Sequence, residues 1–177
     1  PYTYDWAHIP GNDNIEDIDS VGENTYIVTV TDGSGCTASR QFVINEPDQL
    51  EIVIADSQSL SCNGIQNGFV DLTIIGGVLP YTINWTQDNV PIPNTTEDIF
   101  NLGPGNYSVT VRDAQNCLAE ATIPILQPQA LILVQRYLNN VTCNGLNNGN
   151  VGYDTEGGVN PISFLWSNGS SVEDQTN

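Results

Sequence analysis

The sequence predicts an all-β protein made of tandem immunoglobulin-like, antiparallel β-sandwich repeats of about 81 residues. Three observations lead to this fold class. Cysteines recur 81 residues apart, at Cys36 and Cys117 and at Cys62 and Cys143, and a Gly-Gly-Val-x-Pro segment recurs with the same spacing. Short segments of alternating apolar and polar residues are bounded by Gly, Pro, Asn and Asp, as β-strands are. No segment shows a helical repeat of apolar residues of useful length.

Internal repeats divide the chain into three predicted domains. Residues 62–85 and 143–166 are identical at eleven of 24 aligned positions without a gap. We predict the C-terminal half of a repeat at 1–47, a complete repeat at 48–128 and the N-terminal half of a repeat at 129–177. Because the chain begins within a motif, we expect it to be a window from a longer array.

The complete repeat contains six predicted strands. Residues 50–54 alternate as a half-buried strand does, and they follow a Glu-Pro-Asp linker at 46–48. Two Asn-Gly pairs in residues 62–68 suit a turn that requires positive φ angles. Two prolines exclude a central strand from residues 86–96. The other predicted strands are 69–74, 81–85, 97–102, 106–111 and 117–126.

Aromatic residues on these strands indicate an immunoglobulin-like core. Trp85 lies on the third strand of its repeat, as Trp6 and Trp166 do, where such folds bury an aromatic side chain between two sheets. The spacing before Tyr107, and before its counterpart Tyr26, is that of a tyrosine corner. We expect all five side chains in the core, because alternation along a strand is more typical of a core than of a sugar-stacking surface.

The charge of the chain excludes two classes of partner. Its formal net charge is −18, from 21 acidic residues against three basic ones. Nucleic-acid binding requires a basic surface, and an anionic membrane surface repels this charge. No apolar run approaches the ~20 residues that span a bilayer. We predict no nucleic-acid partner and no direct membrane insertion, and we expect neighbouring repeats of the same chain as partners.

The four cysteines favour disulfides and an oxidising, extracellular location, because they recur singly without a C-x-x-C pair or a histidine partner for zinc. Four strand passes predicted between Cys62 and Cys117 would return the chain to one end of the sandwich, so a Cys62–Cys117 bridge is favoured. Because six strands would place both termini at one end, we expect an extra short strand within 86–96 or 55–62. In the first position it would separate the two cysteines, and in the second it would not. The alternative joins Cys36 to Cys62 and Cys117 to Cys143 and requires hairpins across the linkers. Free thiols are the third alternative.

Carboxylates in turns are the candidate cation ligands. Asp32 and Asp113 begin equivalent turns, where aspartate usually accepts hydrogen bonds from its own backbone. Together with Glu46 and Asp48 they are the candidates for Ca²⁺ at repeat junctions, although no segment has the spacing of an EF-hand. No other cofactor is predicted. His8 is the single histidine, so no recurring Ser/His/Asp or Cys/His set exists, and we predict that the protein is not an enzyme.

Four motifs in order carry a resemblance to a known family. They are Cys-Asn-Gly-x-x-Asn-Gly at 62–68, Gly-Gly-x-x-Pro-Tyr-x-x-x-Trp at 76–85, Leu-x-x-Gly-x-Tyr-x-Val-x-Val-x-Asp-x-x-x-Cys at 102–117 and Gln-Pro at 127–128. In this combination the chain resembles the SprB repeat of very long cell-surface adhesins, which gliding bacteria export by type IX secretion. The resemblance implies an extracellular filament without catalytic residues. Ser20, within Asp-Ser-Val, matches an O-glycosylation signal of bacteria related to this family.

We therefore expect spacer repeats of a long extracellular adhesin that supports surface adhesion and gliding motility. Surface polysaccharide or other surface ligands would be bound by other parts of the parent protein. The alternative function is a glycan-binding β-sandwich module of a secreted enzyme or surface lectin. Near-identical units without glycan binding favour the spacer, whereas a single unit with an exposed aromatic residue favours the module.

Overall fold

The computed structural model describes residues 1–7, 9 and 14–174, which contain twelve β-strands. Every strand pair among them is antiparallel, so the predicted all-β architecture is confirmed. The chain forms two compact units, Pro1–Gln49 and Leu50–Asn177. In the described part no helix is long and apolar enough to cross a membrane. His8 lies outside the described residues.

The first unit is a three-stranded sheet that matches the second half of a repeat. Its strands are β1 (Thr3–Ala7), β2 (Asn24–Thr31) and β3 (Thr37–Ile44), with β2 in the centre. Trp6 and Tyr26 are buried on this sheet, and the Tyr26 hydroxyl donates to the Gly22 carbonyl oxygen at 2.9 Å. The tyrosine corner predicted from the sequence is therefore formed in this unit.

The complete repeat is a sandwich of two antiparallel sheets. One sheet has the order β4-β5-β8 and the other the order β10-β9-β6-β7, and the connections cross between the sheets. This arrangement is that of an immunoglobulin-like sandwich. The strands are β4 (Glu51–Gln58), β5 (Gly68–Ile75), β6 (Thr82–Gln87), β7 (Val90–Ile92), β8 (Ile99–Leu102), β9 (Gly105–Arg112) and β10 (Leu118–Ile125).

Alternating side chains of the two sheets fill the core. Along β5 and β9, every second residue is buried, so each sheet presents one apolar face to the other. Trp85 lies between the sheets and is 1% exposed. Burial of each such side chain stabilises the fold by roughly 1.5–3 kcal/mol. The core comprises Leu50, Leu60, Val70, Leu72, Ile74, Trp85, Ile99, Leu102, Tyr107, Val109, Val111, Ile123 and Ile125.

Indole N–H groups hold the loops that follow the three tryptophan residues. Trp85 Nε1 donates to the Thr96 carbonyl oxygen at 2.9 Å, and Trp6 Nε1 donates to Ile15 at 3.0 Å. Trp166 Nε1 makes the same bond to Val172 at 2.7 Å. Each acceptor immediately precedes a Glu-Asp pair, although the three loops differ in length. The bond therefore places the residue before the Glu-Asp pair next to the tryptophan in each repeat, although the loops differ in length.

The short strand β7 determines the end of the sandwich at which the chain leaves the repeat. Thr86 and Gln87 extend the central strand β6, contrary to expectation, whereas residues 88–96 form no central strand. Within them β7 pairs with β6 at the sheet edge, where Pro91 is tolerated. The seven strands bring the chain in at one end and out at the other. We call these ends the N-terminal pole, which holds Leu50 and residues 76–81 and 113–117, and the C-terminal pole, which holds residues 59–67 and 126–128.

Residues 129–174 form a half sandwich within the second unit. Strands β11 (Ile132–Asn139) and β12 (Asn150–Glu156) pair with each other and match β4 and β5. The expectation of a buried Trp166 is wrong in this structure, because the residue is only half-buried. Its ring lies 6.1 Å from that of Tyr153, and within the described residues no strand corresponding to β9 covers it. For the same reason residues 162–166 are not paired as a strand.

Substitution of Gly68 tests how tightly the two sheets pack at the C-terminal pole. A Cβ atom there would lie 2.8 Å from Ile125 Cγ2 and 3.2 Å from the carbonyl oxygens of Gln58 and Leu102. We predict that Gly68→Ala lowers the free energy of unfolding by about 1–3 kcal/mol, measured by urea denaturation with tryptophan fluorescence. Gly103→Ala is the control, because its Cβ would meet only the Gln66 side chain, at 3.7 Å. Equal midpoints for the two variants would contradict the packing described.

Candidate junction site between repeats

The turn between β9 and β10 is closed by the Asp113 carboxylate. Its Oδ1 atom accepts hydrogen bonds from the backbone N–H groups of Gln115 at 2.9 Å and Cys117 at 2.8 Å. The Asp113 N–H donates to the Cys117 carbonyl oxygen at 3.1 Å, and Asn116 adopts a positive φ of 65°. Asp113 is the one buried charged residue of the described chain, at 6% exposure. The carboxylate therefore holds the Asp-x-x-x-Cys turn in a single conformation.

The same carboxylate attaches this turn to the loop of residues 76–81, which we call the Gly-Gly loop. Asp113 Oδ2 accepts a hydrogen bond from the Val78 N–H at 2.9 Å, and the Ala114 N–H donates to the Val78 carbonyl oxygen at 2.8 Å. A Cβ atom on Gly77 would lie within 3.2 Å of both Leu50 and Asp113, at a φ of +62°. Glycine is therefore required for this close approach. The N-terminal pole consists of the turn packed on the loop.

Hydrogen bonding keeps Asp113 ionised. Burial raises the pKa of the Asp113 carboxyl, but the backbone N–H donors of Val78, Cys117 and Gln115 together lower it more, so the net pKa lies below its ordinary value. The group is thus charged throughout the neutral range, held by backbone N–H donors and by the Cys117 side chain.

At the C-terminal pole, the loop of residues 59–67 holds the chain that leaves the repeat. The Leu60 N–H donates to the Leu126 carbonyl oxygen at 2.8 Å. Asn63 Nδ2 donates to the Pro128 carbonyl oxygen at 2.9 Å, and the Gly64 N–H donates to Gln127 Oε1 at 3.3 Å. The Cys-Asn-Gly and Gln-Pro motifs are far apart in sequence but form one contact. Cys-Asn-Gly recurs at 143–145, and Pro47 occupies the repeat position of Pro128.

A groove of about 380 Å³ lies where this pole meets the next half repeat. The complete repeat contributes Ser61, Cys62 and Asn63 to its lining, and the following segment contributes Leu131, Gly158 and Val159. Gly158 and Val159 are the counterparts of Gly77 and Val78, so the groove is lined by the N-terminal pole of the following repeat. Because all these residues belong to one compact unit, the structure shows how the complete repeat meets the half repeat that follows it.

All four cysteines are free, exposed thiols, and the favoured Cys62–Cys117 bridge is wrong. Cys62 lies at the C-terminal pole and Cys117 at the N-terminal pole, separated by the eight residues of β10, which span roughly 26 Å. The additional strand β7 produces this separation. The alternative pairs with Cys36 and Cys143 are not formed either, since they require hairpins across the linkers, whereas β3 pairs with β2 and β10 with β9.

The other predicted ligands lie in ordinary turn and linker positions. Asp32 Oδ1 accepts hydrogen bonds from the N–H groups of Ser34 and Cys36, both at 2.8 Å, and Glu46 and Asp48 are exposed in the linker. The described residues contain no group of three or more His, Cys, Asp or Glu side chains arranged for a metal ion. Calcium binding stays a prediction. Ser20 is exposed with a φ of 56°, and its glycosylation likewise stays a prediction.

Sequence comparison finds a known repeat at two places in the chain. The family model described as the SprB repeat matches residues 54–90 and residues 138–171. These segments are the first halves of two successive repeats. Each ends five residues after its tryptophan, Trp85 or Trp166. The resemblance predicted from the motifs is therefore confirmed. No curated protein sequence matches the chain.

Comparison with solved structures supports the fold. The three N-terminal domains of the bacteriophage RB49 highly immunogenic outer capsid protein align with a TM-score of 0.51 and 18% identity, over 88% of this chain and 58% of that one. This chain thus spans little more than half of that structure. The N-terminal eight immunoglobulin domains of Down syndrome cell adhesion molecule align with a TM-score of 0.40 and 15% identity, over 98% of this chain and 27% of that one. At such identities the first likeness concerns the fold alone.

Acid titration tests the role of Asp113. Because its pKa is lower in the folded chain than the ~3.9 of an unfolded aspartate, its contribution to stability is complete above about pH 4 and is lost as the pH falls through the folded-state pKa. We predict that Asp113→Asn lowers the urea midpoint of unfolding at pH 7, and that the difference from wild type shrinks as the pH falls below about 4.

Asp71→Asn is the matched control, since it removes the same charge from the same repeat at a strand position. It should leave the urea midpoint near that of wild type at each pH. A midpoint for Asp113→Asn that equals wild type at pH 7, or a difference that persists unchanged to pH 3, would contradict the assigned role of the carboxylate.

Proposed function

We propose that this chain, which carries SprB repeats at two places, is a spacer segment of a long extracellular adhesin. Its repeats set the distance between the cell surface and a binding region located elsewhere in the parent protein, in support of surface adhesion and gliding motility. The chain performs no catalysis in this role. Its location is the outside of the cell, at the surface.

The observation that carries this proposal is the position of the two poles. Seven strands bring the chain into the complete repeat at one end and out at the other, so consecutive repeats extend in one direction. Asn63 and Gly64 hold the linker at Gln127 and Pro128, which gives the junction a defined geometry. Repeat proteins of this kind are stabilised by contacts between nearest neighbours. A net charge of −18 also disfavours lateral association of such chains.

Burial of the tryptophan separates the spacer from the glycan-binding alternative. A sugar-stacking site needs an exposed aromatic face, whereas Trp85 is enclosed between the two sheets. The same position holds Trp6, which is also buried. Trp85 and Trp6 therefore serve packing, and this supports a spacer that binds ligands through other parts of its parent protein.

Length measurement tests the spacer function. We expect that inserting a second copy of residues 48–128 after Pro128 increases the longest dimension in small-angle X-ray scattering by roughly 30–45 Å, the span of an eight-residue strand plus a linker. Immobilised polysaccharides should not retain either chain. An unchanged longest dimension, or retention on a polysaccharide that increases with repeat number, would contradict the proposal.

Asn63 tests the stiffness of the junction. Asn63→Ala removes the bond to the Pro128 carbonyl oxygen, so we expect faster cleavage by subtilisin within residues 126–131, by several-fold, with an unchanged urea midpoint. Asn144→Ala is the control, because it changes the same loop position in the next repeat without touching this linker. Equal cleavage rates for the two variants would show that the bond does not restrain the linker.

A further inference from the structure

We propose that consecutive repeats are linked by a disulfide between Cys62 and the cysteine of the Asp-x-x-x-Cys turn that completes the following repeat. The inference rests on the linear arrangement proposed above and adds a covalent bond to it. It follows from two features of this chain: the turn at the N-terminal pole of one repeat, and the groove at the junction with the next.

The complete repeat shows how such a turn docks. The turn of Asp113–Cys117 lies on the Gly-Gly loop through two bonds to Val78, one from its N–H to Asp113 Oδ2 and one to its carbonyl oxygen from the Ala114 N–H. In this position Asp113 and Leu50 both lie against Gly77, and Leu50 is 7% exposed. Cys117 lies at the end of the same turn, with its thiol exposed.

The following half repeat presents the same docking surface, and that surface lines the junction groove. Val159 and Leu131 are the counterparts of Val78 and Leu50, and both lie in the groove that contains Cys62. Leu131 is 53% exposed, in contrast to Leu50. The Gly158 N–H bonds to the Gln129 carbonyl oxygen at 3.0 Å, which holds the loop against the linker. An Asp-x-x-x-Cys turn docked on Val159 as Asp113 docks on Val78 would therefore bring its cysteine to the groove beside Cys62.

The positions of the cysteines agree with a bond between repeats. The complete repeat has one thiol at each pole, and these are too far apart to pair, since a disulfide requires Cα atoms within about 7 Å. Where one repeat follows another, the C-terminal pole of the first brings its cysteine to the N-terminal pole of the second. Bond formation removes one proton from each thiol and two electrons in total. An oxidised low-molecular-weight disulfide accepts the electrons by thiol–disulfide exchange and is reduced to two thiols.

A lengthened chain tests the proposal. In all three repeats the tryptophan indole bonds to the residue before a Glu-Asp pair, so Glu173-Asp174 aligns with Glu97-Asp98 and Asn177 with Asn101. A copy of residues 102–128 is therefore appended directly after Asn177 to complete the third repeat. The lengthened and original chains are incubated with oxidised glutathione, then alkylated and analysed by intact mass and peptide mapping.

We expect one disulfide in the lengthened chain, joining Cys62 to the appended copy of Cys117, with a mass lower by two hydrogens. In the original chain Cys62 should stay alkylated. Cys62→Ser should abolish the bond in the lengthened chain. The matched control Cys143→Ser should leave the bond intact. Cys143 occupies the same loop position in the third repeat, which no further repeat follows in the lengthened chain.

Three results would overturn the proposal. In the first, Cys62 stays free or binds glutathione while Trp166 fluorescence shows that the appended half has completed the third repeat. In the second, the appended cysteine pairs with Cys143. In the third, Trp166 stays only half-buried, which means that the appended turn does not dock. The longest dimension measured by small-angle X-ray scattering does not depend on the redox state of Cys62. A failure of the disulfide proposal is therefore distinguishable from a failure of the spacer function.

Discussion

The structure depends on one constraint: neither sheet of the repeat can bury its apolar face without the other. In the complete repeat, β5 and β9 face each other across Trp85, which is almost fully enclosed. In the half sandwich of β11 and β12, equivalent positions are half-buried, as Val151 and Tyr153 are, or exposed, as Leu131 is. A core this small leaves a narrow margin of stability, so the hydrogen bonds of the Asp113 turn have a large share in it.

The number of strands then decides how the repeats are connected. With six strands the chain would return to the pole at which it began, and an array would fold back on itself. The short edge strand β7 makes seven and places the linker at the far pole. Two polar devices define the poles: the Asp113 carboxylate fixes the turn at one, and Asn63 fixes the departing chain at the other. Both act on backbone groups, so their geometry does not depend on neighbouring side chains.

Much of the fold could be predicted from the sequence, because repetition and alternation are local signals. The 81-residue period, the tyrosine corner at Tyr107 and the buried Trp85 all follow from spacing within or between short segments. An extra strand could be expected from the need to place the termini at opposite ends, but its position could not, since a three-residue edge strand with a proline lacks an alternating pattern. Its position within 86–96 separates Cys62 from Cys117 and makes the favoured pairing wrong. The Asn63–Pro128 contact joins residues 65 positions apart, and no local pattern of the sequence indicates it.

The central claim is that consecutive repeats lie end to end, with the C-terminal pole of one against the N-terminal pole of the next. A distance between Cys117 and Cys143 tests it most directly, because these thiols lie at the outer poles of the complete repeat and the following half repeat. Spin labels on the two cysteines, with Cys36 and Cys62 replaced by serine, allow the measurement by double electron–electron resonance. An end-to-end arrangement predicts roughly 50–60 Å, the span of β10 and β11 with their linker. A distance below about 25 Å would mean that the repeats fold back beside each other and would contradict the account.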